Sequence, residues 1–430
     1  MHIDGSASCS TFATVKAVQS WLCPRGGLLW YVVCVLSAQM PASTMAQSSP
    51  DVIWSLKTHS NYIAPVAIST DGALVASAGT NNTIRLAKLT NGSVVRYLFG
   101  HVNGVTALAF SPDGSVIAST SYDRTLRLWN VSAGTLLRTI PQGGGVIPYT
   151  ASAVAFHPDG QHVAADRNRT NVVLWRISDG TSVWETLGNT TEIESIAISL
   201  DGSLVAAAGG YRGQDVLIRI IRAADGQPLQ SLITSNAYGV RQLAFSPDGK
   251  WLAAGCDRLT NFDGQVEVWR VADWIRERVL PVHSPALAFT PDGKLLVTLR
   301  DKAMEFWRMS EGKLMFSYGA PTNGDYSPHL SIAISPKSDR IVIGNSRFLL
   351  GGVPEASATA IRFPMMFHDV VQNGNAGTFS WTGGHDQYQI QRRSFDSASW
   401  MNVGSPTTNR SIILPLDGLG AMFRVMTVVP

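Results

Sequence analysis

A chain of 430 residues, 45% hydrophobic and 15% charged, has enough apolar side chains for a large packed core, which excludes an intrinsically disordered protein. A net charge of only +3, with no basic block, excludes nucleic acid or an acidic membrane surface as the expected partner. The 39 glycines and 21 prolines suit a turn-rich, all-β chain.

The first predicted element is a targeting segment. Lys16 and Arg25 precede the apolar run Gly26–Ala38, and small residues follow through Ser43 and Thr44 to Ala46. A basic flank, a short apolar region and a small-residue cleavage site predict a secretory signal over 1–46, cut after Ala46. An uncleaved N-terminal anchor is the alternative. The run is short for a transmembrane helix, so no stable span is expected after cleavage. Cys9, Cys23 and Cys34 lie in this segment, leaving Cys256 alone in the mature chain and excluding a disulfide framework. The expected location is secreted or periplasmic, with the cell surface open.

From residue 51 the chain repeats itself. Asp-Gly turns recur at Asp71-Gly72, Asp113-Gly114, Asp159-Gly160, Asp201-Gly202, Asp248-Gly249 and Asp292-Gly293. A seventh, degenerate turn runs from Ser335 to Asp339. Successive glycines are 42, 46, 42, 47 and 44 residues apart (72, 114, 160, 202, 249, 293), a period that means a propeller or solenoid. The best-preserved copy is Gly100–Ile140, which reads as four short strands. Val105–Ser111 stops at Pro112-Asp113-Gly114, where Pro presets φ and Asp bonds its own backbone. Ser115–Ser121, Thr125–Val131 and Thr135–Ile140 complete the unit. Strands this short cannot bury a face alone, so each copy needs its neighbours. Asp51–His59 reads as a fourth strand without a preceding unit, and the seventh copy lacks a fourth strand. The N-terminal strand is therefore expected to complete the last blade.

The Gly100-His101 pair, the Ser-Pro-Asp-Gly turn, the Asp123 turn and Trp129 together resemble the WD40 (Trp-Asp repeat) β-propeller family. The usual Trp-Asp pair becomes Trp129-Asn130, Trp175-Arg176, Trp269-Arg270 and Trp307-Arg308. The resemblance covers roughly residues 51–366 and implies a seven-bladed propeller. It also implies that His101, Ser119 (or Ser121), Asp123 and Trp129 knit the strands of one blade. A His, an Asp and a Ser in one repeat invite a catalytic reading, but their spacing is that of the blade motif and of no hydrolase.

The period stops near Phe367. Thr378–Thr382, Gln387–Arg393, Trp400–Val403, Ser411–Pro415 and Met422–Val428 read as short strands, so 367–430 is expected to form a small β-sandwich. The WTGG, YQIQRR and FRV segments resemble fibronectin type III or immunoglobulin-like modules of secreted bacterial proteins. A degenerate eighth blade is the alternative. The fold class predicted for the whole chain is all-β, a seven-bladed β-propeller followed by a small β-sandwich.

None of the histidines has a recognised metal spacing, and there is no nucleophile elbow or P-loop, so no metal, cofactor or catalytic residue is expected. Gly143-Gly144-Gly145 precedes no helix and reads as an inter-blade loop. The loop between second and third strands carries an arginine in most copies: Arg124, Arg167, Arg212, Arg258, Arg300 and Arg347. The resemblance puts that loop on the partner-binding face. Tyr122 adds an aromatic there, and Arg and Tyr are enriched at interface hot spots. Such a face suits a protein or peptide, or an acidic glycan. Local pairing with Asp123, Asp166, Asp257 or Asp301 on a solvated rim is the competing reading. The expected function is an exported, non-catalytic interaction scaffold. A hydrolase or lyase site in the central channel, and carbohydrate binding through Trp381 or Trp400, are the alternatives.

Overall fold

The computed structural model describes residues 18–22, 30–35, 52–59, 65–143, 153–186, 192–210, 216–234, 239–257, 264–282, 286–300, 303–319, 330–347, 355–362, 366–373, 376–382, 388–394, 401–407, 411–415 and 421–427. The chain divides into two compact units, one of residues 47–363 and one of 1–46 with 364–430.

The larger unit consists of seven four-stranded antiparallel sheets, each a meander in sequence order except the last. Blade 1 comprises Val66–Ile68, Leu74–Ala78, Ile84–Lys88 and Val94–Leu98; blade 2 comprises Val105–Phe110, Val116–Ser121, Thr125–Asn130 and Leu136–Pro141. Blades 3 to 6 repeat the pattern from Val154, Ile193, Gly239 and Ala286. Blade 7 holds Leu330–Ile334, Arg340–Arg347 and Glu355–Arg362, and takes its fourth strand, Val52–His59, from the other end of the unit. First strands touch first strands in cyclic order, and that of blade 7 meets that of blade 1, which makes a closed seven-bladed β-propeller.

Core packing lies between successive sheets. Ala76, Ile84 and Leu86 of blade 1 pack with Ile117 and Trp129 of blade 2. Trp54, Ala358 and Ala360 of blade 7 pack with Val75 and Leu89 of blade 1, so the closing seam has the same composition as an internal one.

A recurrent clamp also joins the blades. On each fourth strand one register position faces the third-strand residue before the tryptophan site: Arg96 opposite Leu86, Arg138 opposite Leu128, Trp184 opposite Leu174, Arg278 opposite Val268, and Trp54 opposite Ala360. Each of these side chains lies over the turn between third and fourth strands of the next blade. Arg138 Nη1 and Nη2 donate to Asp179 O (2.9 Å) and Ser178 O (2.6 Å). Trp184 Nε1 donates to Ala223 O (2.7 Å), and Trp54 Nε1 donates to Leu89 O (2.9 Å). The receiving turns carry a glycine at positive φ, between +63° and +74°, with +72° at Gly92. A Cβ on Gly92 would sit 2.9 Å from Trp54 Cδ2, so the close approach as well as the backbone requires glycine.

The smaller unit contains two antiparallel sheets. Met366–Asn373, Ala376–Thr382 and Ser411–Pro415 form one. In the other, Val18–Leu22 and Trp30–Val35 form a hairpin against Ala421–Thr427, followed by Tyr388–Ser394 and Met401–Thr407. Both hairpin strands come from the segment read as a signal. Trp400 lies outside the described residues.

Candidate interaction face

Antiparallel meanders place alternate connections at opposite rims. The turns between second and third strands therefore share a rim with the links between blades. In blade 2 that rim is fixed by a buried relay. Trp129 Nε1–H is donor only, so Ser119 Oγ accepts from it (2.8 Å) and donates its own hydrogen to His101 Nε2 (2.8 Å). His101 Nδ1–H then donates to Asp123 Oδ2 (2.7 Å). Asp123 also accepts from Val102 N (3.1 Å), Thr125 N (3.0 Å) and Thr125 Oγ1 (2.6 Å). Burial works against the Asp123 charge, but the hydrogen bonds from His101, Thr125 and Val102 outweigh it and hold its carboxyl at about 2. The Ser119 hydroxyl's one hydrogen is committed to His101, and its residue is fully buried. The set joins the inter-blade link, the second strand, the 121–124 turn and the third strand of blade 2.

The other blades keep fragments of this relay. Trp307 Nε1 donates to Thr298 Oγ1 (3.3 Å) in blade 6, with Thr298 at the register of Ser119. Ala165 and Ala254 stand at that register in blades 3 and 5, and Ala87 replaces the tryptophan in blade 1.

The relay's outer surface is a corner of blade 2. Val102 and Gly104 of the inter-blade link are hydrogen-bonded to the 121–124 turn, through Val102 N to Asp123 and Tyr122 N to Gly104 O (2.9 Å). Phe99 and Val102 on the link are 71% and 77% exposed, the two most exposed large apolar residues among those described. Phe99 stacks obliquely on Tyr97, with ring centroids 5.9 Å apart. Arg124 and Tyr122 belong to the turn to which this link is bonded; Arg124 is at φ 66, half-buried, with no ion pair among the described residues.

The remaining predicted arginines do not share one register. Counted from the second-strand residue facing the tryptophan site, Arg124 and Arg212 lie seven positions on (117 to 124, 205 to 212), Arg258 and Arg347 six (252 to 258, 341 to 347), and Arg167 and Arg300 four (163 to 167, 296 to 300). Arg167 leans over the Trp175 ring (5.8 Å) and pairs with Glu185 (2.9 Å) on the outer strand, not with Asp166. Asp166 is buried and accepts from Ala153 N (3.0 Å). Arg212 and Arg258 lie outside the described residues; Arg300 and Arg347 are the last residues of their strands.

On the first strands, Arg241 of blade 5 joins Glu194 of blade 4 (Nη1 to Oε2, 2.7 Å) and Asp257 (Nε to Oδ2, 2.5 Å). Burial pushes the Glu194 carboxyl up despite Arg241. Burial also opposes the Arg241 cation, but the two carboxylates outweigh it and raise its pKa. Arg169 pairs with Glu192 nearby in sequence. Both carboxylates on Arg241 are thus tied to one guanidinium.

A sequence model of the family described as "WD domain, G-beta repeat" matches residues 50–87, 92–130 and 226–270. These three stretches carry WD40 repeats. An uncharacterized WD repeat-containing protein of Synechocystis is 28% identical over 157 residues, 35% of this chain and 41% of that protein. Telomerase protein component 1 of Rattus norvegicus is 29% identical over 144 residues, 33% of this chain and 5% of that protein. The chain thus spans less than half the length of these two relatives.

WD40 propellers typically mediate protein interactions. Phe99 and Val102 escaped the sequence reading because nothing in their pattern distinguishes an exposed apolar residue on a link from a strand residue. The signal was their place beside the best-preserved blade motif.

Proposed function

We propose that this chain is an exported, non-catalytic WD40 scaffold of a bacterial cell that docks a protein or peptide on the blade 2 corner. The observation that carries this reading is the exposed pair Phe99 and Val102 on the link hydrogen-bonded to the turn of Tyr122 and Arg124, a turn pinned by the Asp123–His101–Ser119–Trp129 relay. Apolar, aromatic and arginine groups on a preorganised support lose little entropy on binding. The arginine also suits an acidic residue of the partner. Export rests on the 1–46 signal pattern, and residues 367–430 are read as a fibronectin-like spacer or surface-association module. A channel enzyme is the weaker reading, because Glu194 and Asp257 are both engaged by Arg241.

The test places a photo-crosslinking amino acid at position 102, and at 229 on an outer strand as control, in the native host. The expected result is a discrete adduct from 102 only. Its partner, purified, should bind the Arg124→Glu variant at least tenfold more weakly while the melting temperature stays unchanged. Equal adducts from both positions, or undiminished binding by the variant, would refute the docking corner. Mass spectrometry of the exported protein should find Gln47 as its first residue; a chain retaining Met1 would overturn cleavage.

A further inference from the structure

The turn between first and second strands is made six times with one chemistry. In blade 2, Ser111 Oγ donates to Asp113 Oδ1 (2.6 Å) and accepts from Val116 N (2.9 Å). Ser69, Ser199, Ser246 and Thr290 do the same with Asp71, Asp201, Asp248 and Asp292, and Ser335 with Asp339. Blade 3 alone departs, with the sequence His157-Pro158-Asp159-Gly160-Gln161-His162. One imidazole replaces the hydroxyl, and a second stands where the other blades have Leu, Val, Trp or Arg. The backbone of the turn is unaltered: His157 N donates to His162 O (2.9 Å) and Gly160 N to His157 O (3.0 Å). The fold therefore does not require either histidine.

The two imidazoles converge on one oxygen. His157 Nδ1 lies 3.1 Å, and His162 Nδ1 2.7 Å, from Asp159 Oδ2. The other carboxylate oxygen, Oδ1, is occupied by the turn amides of Gln161 (2.7 Å) and His162 (3.2 Å), which leaves Oδ2 facing the rings. One ligand atom from each residue lies within 4.8 Å of the others. His157 Nε2–H donates to Gly202 O (2.9 Å) in the equivalent turn of blade 4, which fixes the tautomer and presents the Nδ1 lone pair inward. A ring N–H held by a backbone carbonyl is the usual support behind a metal-ligating histidine. A metal would displace the weak 3.2 Å bond from Asp159 N to that lone pair and the hydrogen bond between His162 Nδ1 and Asp159 Oδ2 (2.7 Å), whose proton is released.

We propose that His157, Asp159 and His162 form a binding site for a divalent transition metal, with zinc as the fitting ion. Ligands at about 2.0–2.2 Å from a tetrahedral zinc lie ~3.3 Å from one another, so the two nitrogen–oxygen spacings need to open by only a few tenths of an ångström. Two imidazoles and one carboxylate favour zinc, nickel or copper over magnesium or calcium. The three side chains are each partly exposed, leaving the fourth position to water or to a ligand atom from a partner. Bound metal would lock the blade 3 turn and, through His157 and Gly202, brace it against blade 4.

The test is calorimetric titration of the full chain with zinc chloride, wild type against His157→Ser/His162→Val. Those substitutions restore residue types used by the other turns, so the double variant is expected to melt within a few degrees of wild type. The expected result is one zinc equivalent bound at least tenfold more tightly by wild type than by the double variant. Cobalt should give the visible absorption of a four-coordinate ion only in wild type. If the double variant does not fold, His162→Val alone, at the first residue of a strand, must show the same loss. Identical titrations, meaning an adventitious ion only at the remaining histidines, or no binding by wild type, overturn the site.

Discussion

Replacing Trp54 by alanine isolates the contribution of ring closure. The residue belongs to the strand that crosses from the start of the unit into blade 7, is 8% exposed, and covers Gly92 of blade 1. A buried tryptophan removes roughly 200 Å² from water, or about 5 kcal/mol at about 25 cal/mol per Å². Measured truncations of this kind cost about 3–5 kcal/mol. Loss of the indole bond to the Leu89 carbonyl adds ~1 kcal/mol. A loss of ~4 kcal/mol lowers the melting temperature of a unit this large by about 8 °C, at ~2 °C per kcal/mol. Trp54→Phe keeps most of the packing and loses the hydrogen bond, so a fall of about 2–4 °C is expected. Trp184→Ala, at the same register of an internal seam, should match Trp54→Ala within about 1 kcal/mol, comparable to the context scatter of such truncations. Calorimetry or near-ultraviolet circular dichroism reads all three. A Trp54→Ala protein that melts within 1 °C of wild type, measured to the precision that ~1 kcal/mol requires, would refute closure through this strand.

Two further outcomes concern charge. Asp123 has a folded-state pKa of about 2 against an ordinary 3.8, so its contribution is complete above pH ~4 and is lost as pH falls through about 2. That contribution is ~2 kcal/mol, and Asp123→Asn should flatten the acid limb of the stability curve between those limits; an unchanged limb would contradict the relay. Arg241→Met leaves Glu194 and Asp257 facing each other. The variant should lose about 1–2 kcal/mol at pH 7.5 after solvent screening, and recover as acid protonates Glu194, whose pKa is already raised. Urea unfolding at pH 7.5 and 4 with equal losses would count against that arrangement.

The repeat architecture was legible because the Asp-Gly turns, the adjoining strands and the tryptophan recur together. The closing strand was legible from Asp51–His59, but the work of Trp54 within it was not. The clamp position is filled by Arg96, Arg138, Trp184, Arg278 and Trp54, and a search for recurring residue types passes over a site whose requirement is a flat group lying on a glycine turn. The register of the arginine loops was hidden for the converse reason. Arg124 and Arg167 share a residue type and an approximate loop, yet three positions of register separate them, and Arg167 pairs with Glu185 on the outer strand. The histidine turn of blade 3 matched no recognised metal spacing because its second histidine lies beyond the turn, at the head of the next strand.

The mixed seventh blade also sets an order of events in synthesis. Ser55 bonds Thr359 across 304 residues of chain. At about 5–20 residues per second the ribosome needs ~15–60 s to deliver the second partner after the first. Through that interval the propeller's earliest-made strand, rich in β-forming residues, has no sheet to join and is an open edge for other chains. The propeller's first strand is thus the last one placed in it, and a holdase that shields residues 52–59 until blade 7 is made would protect the yield of folded propeller.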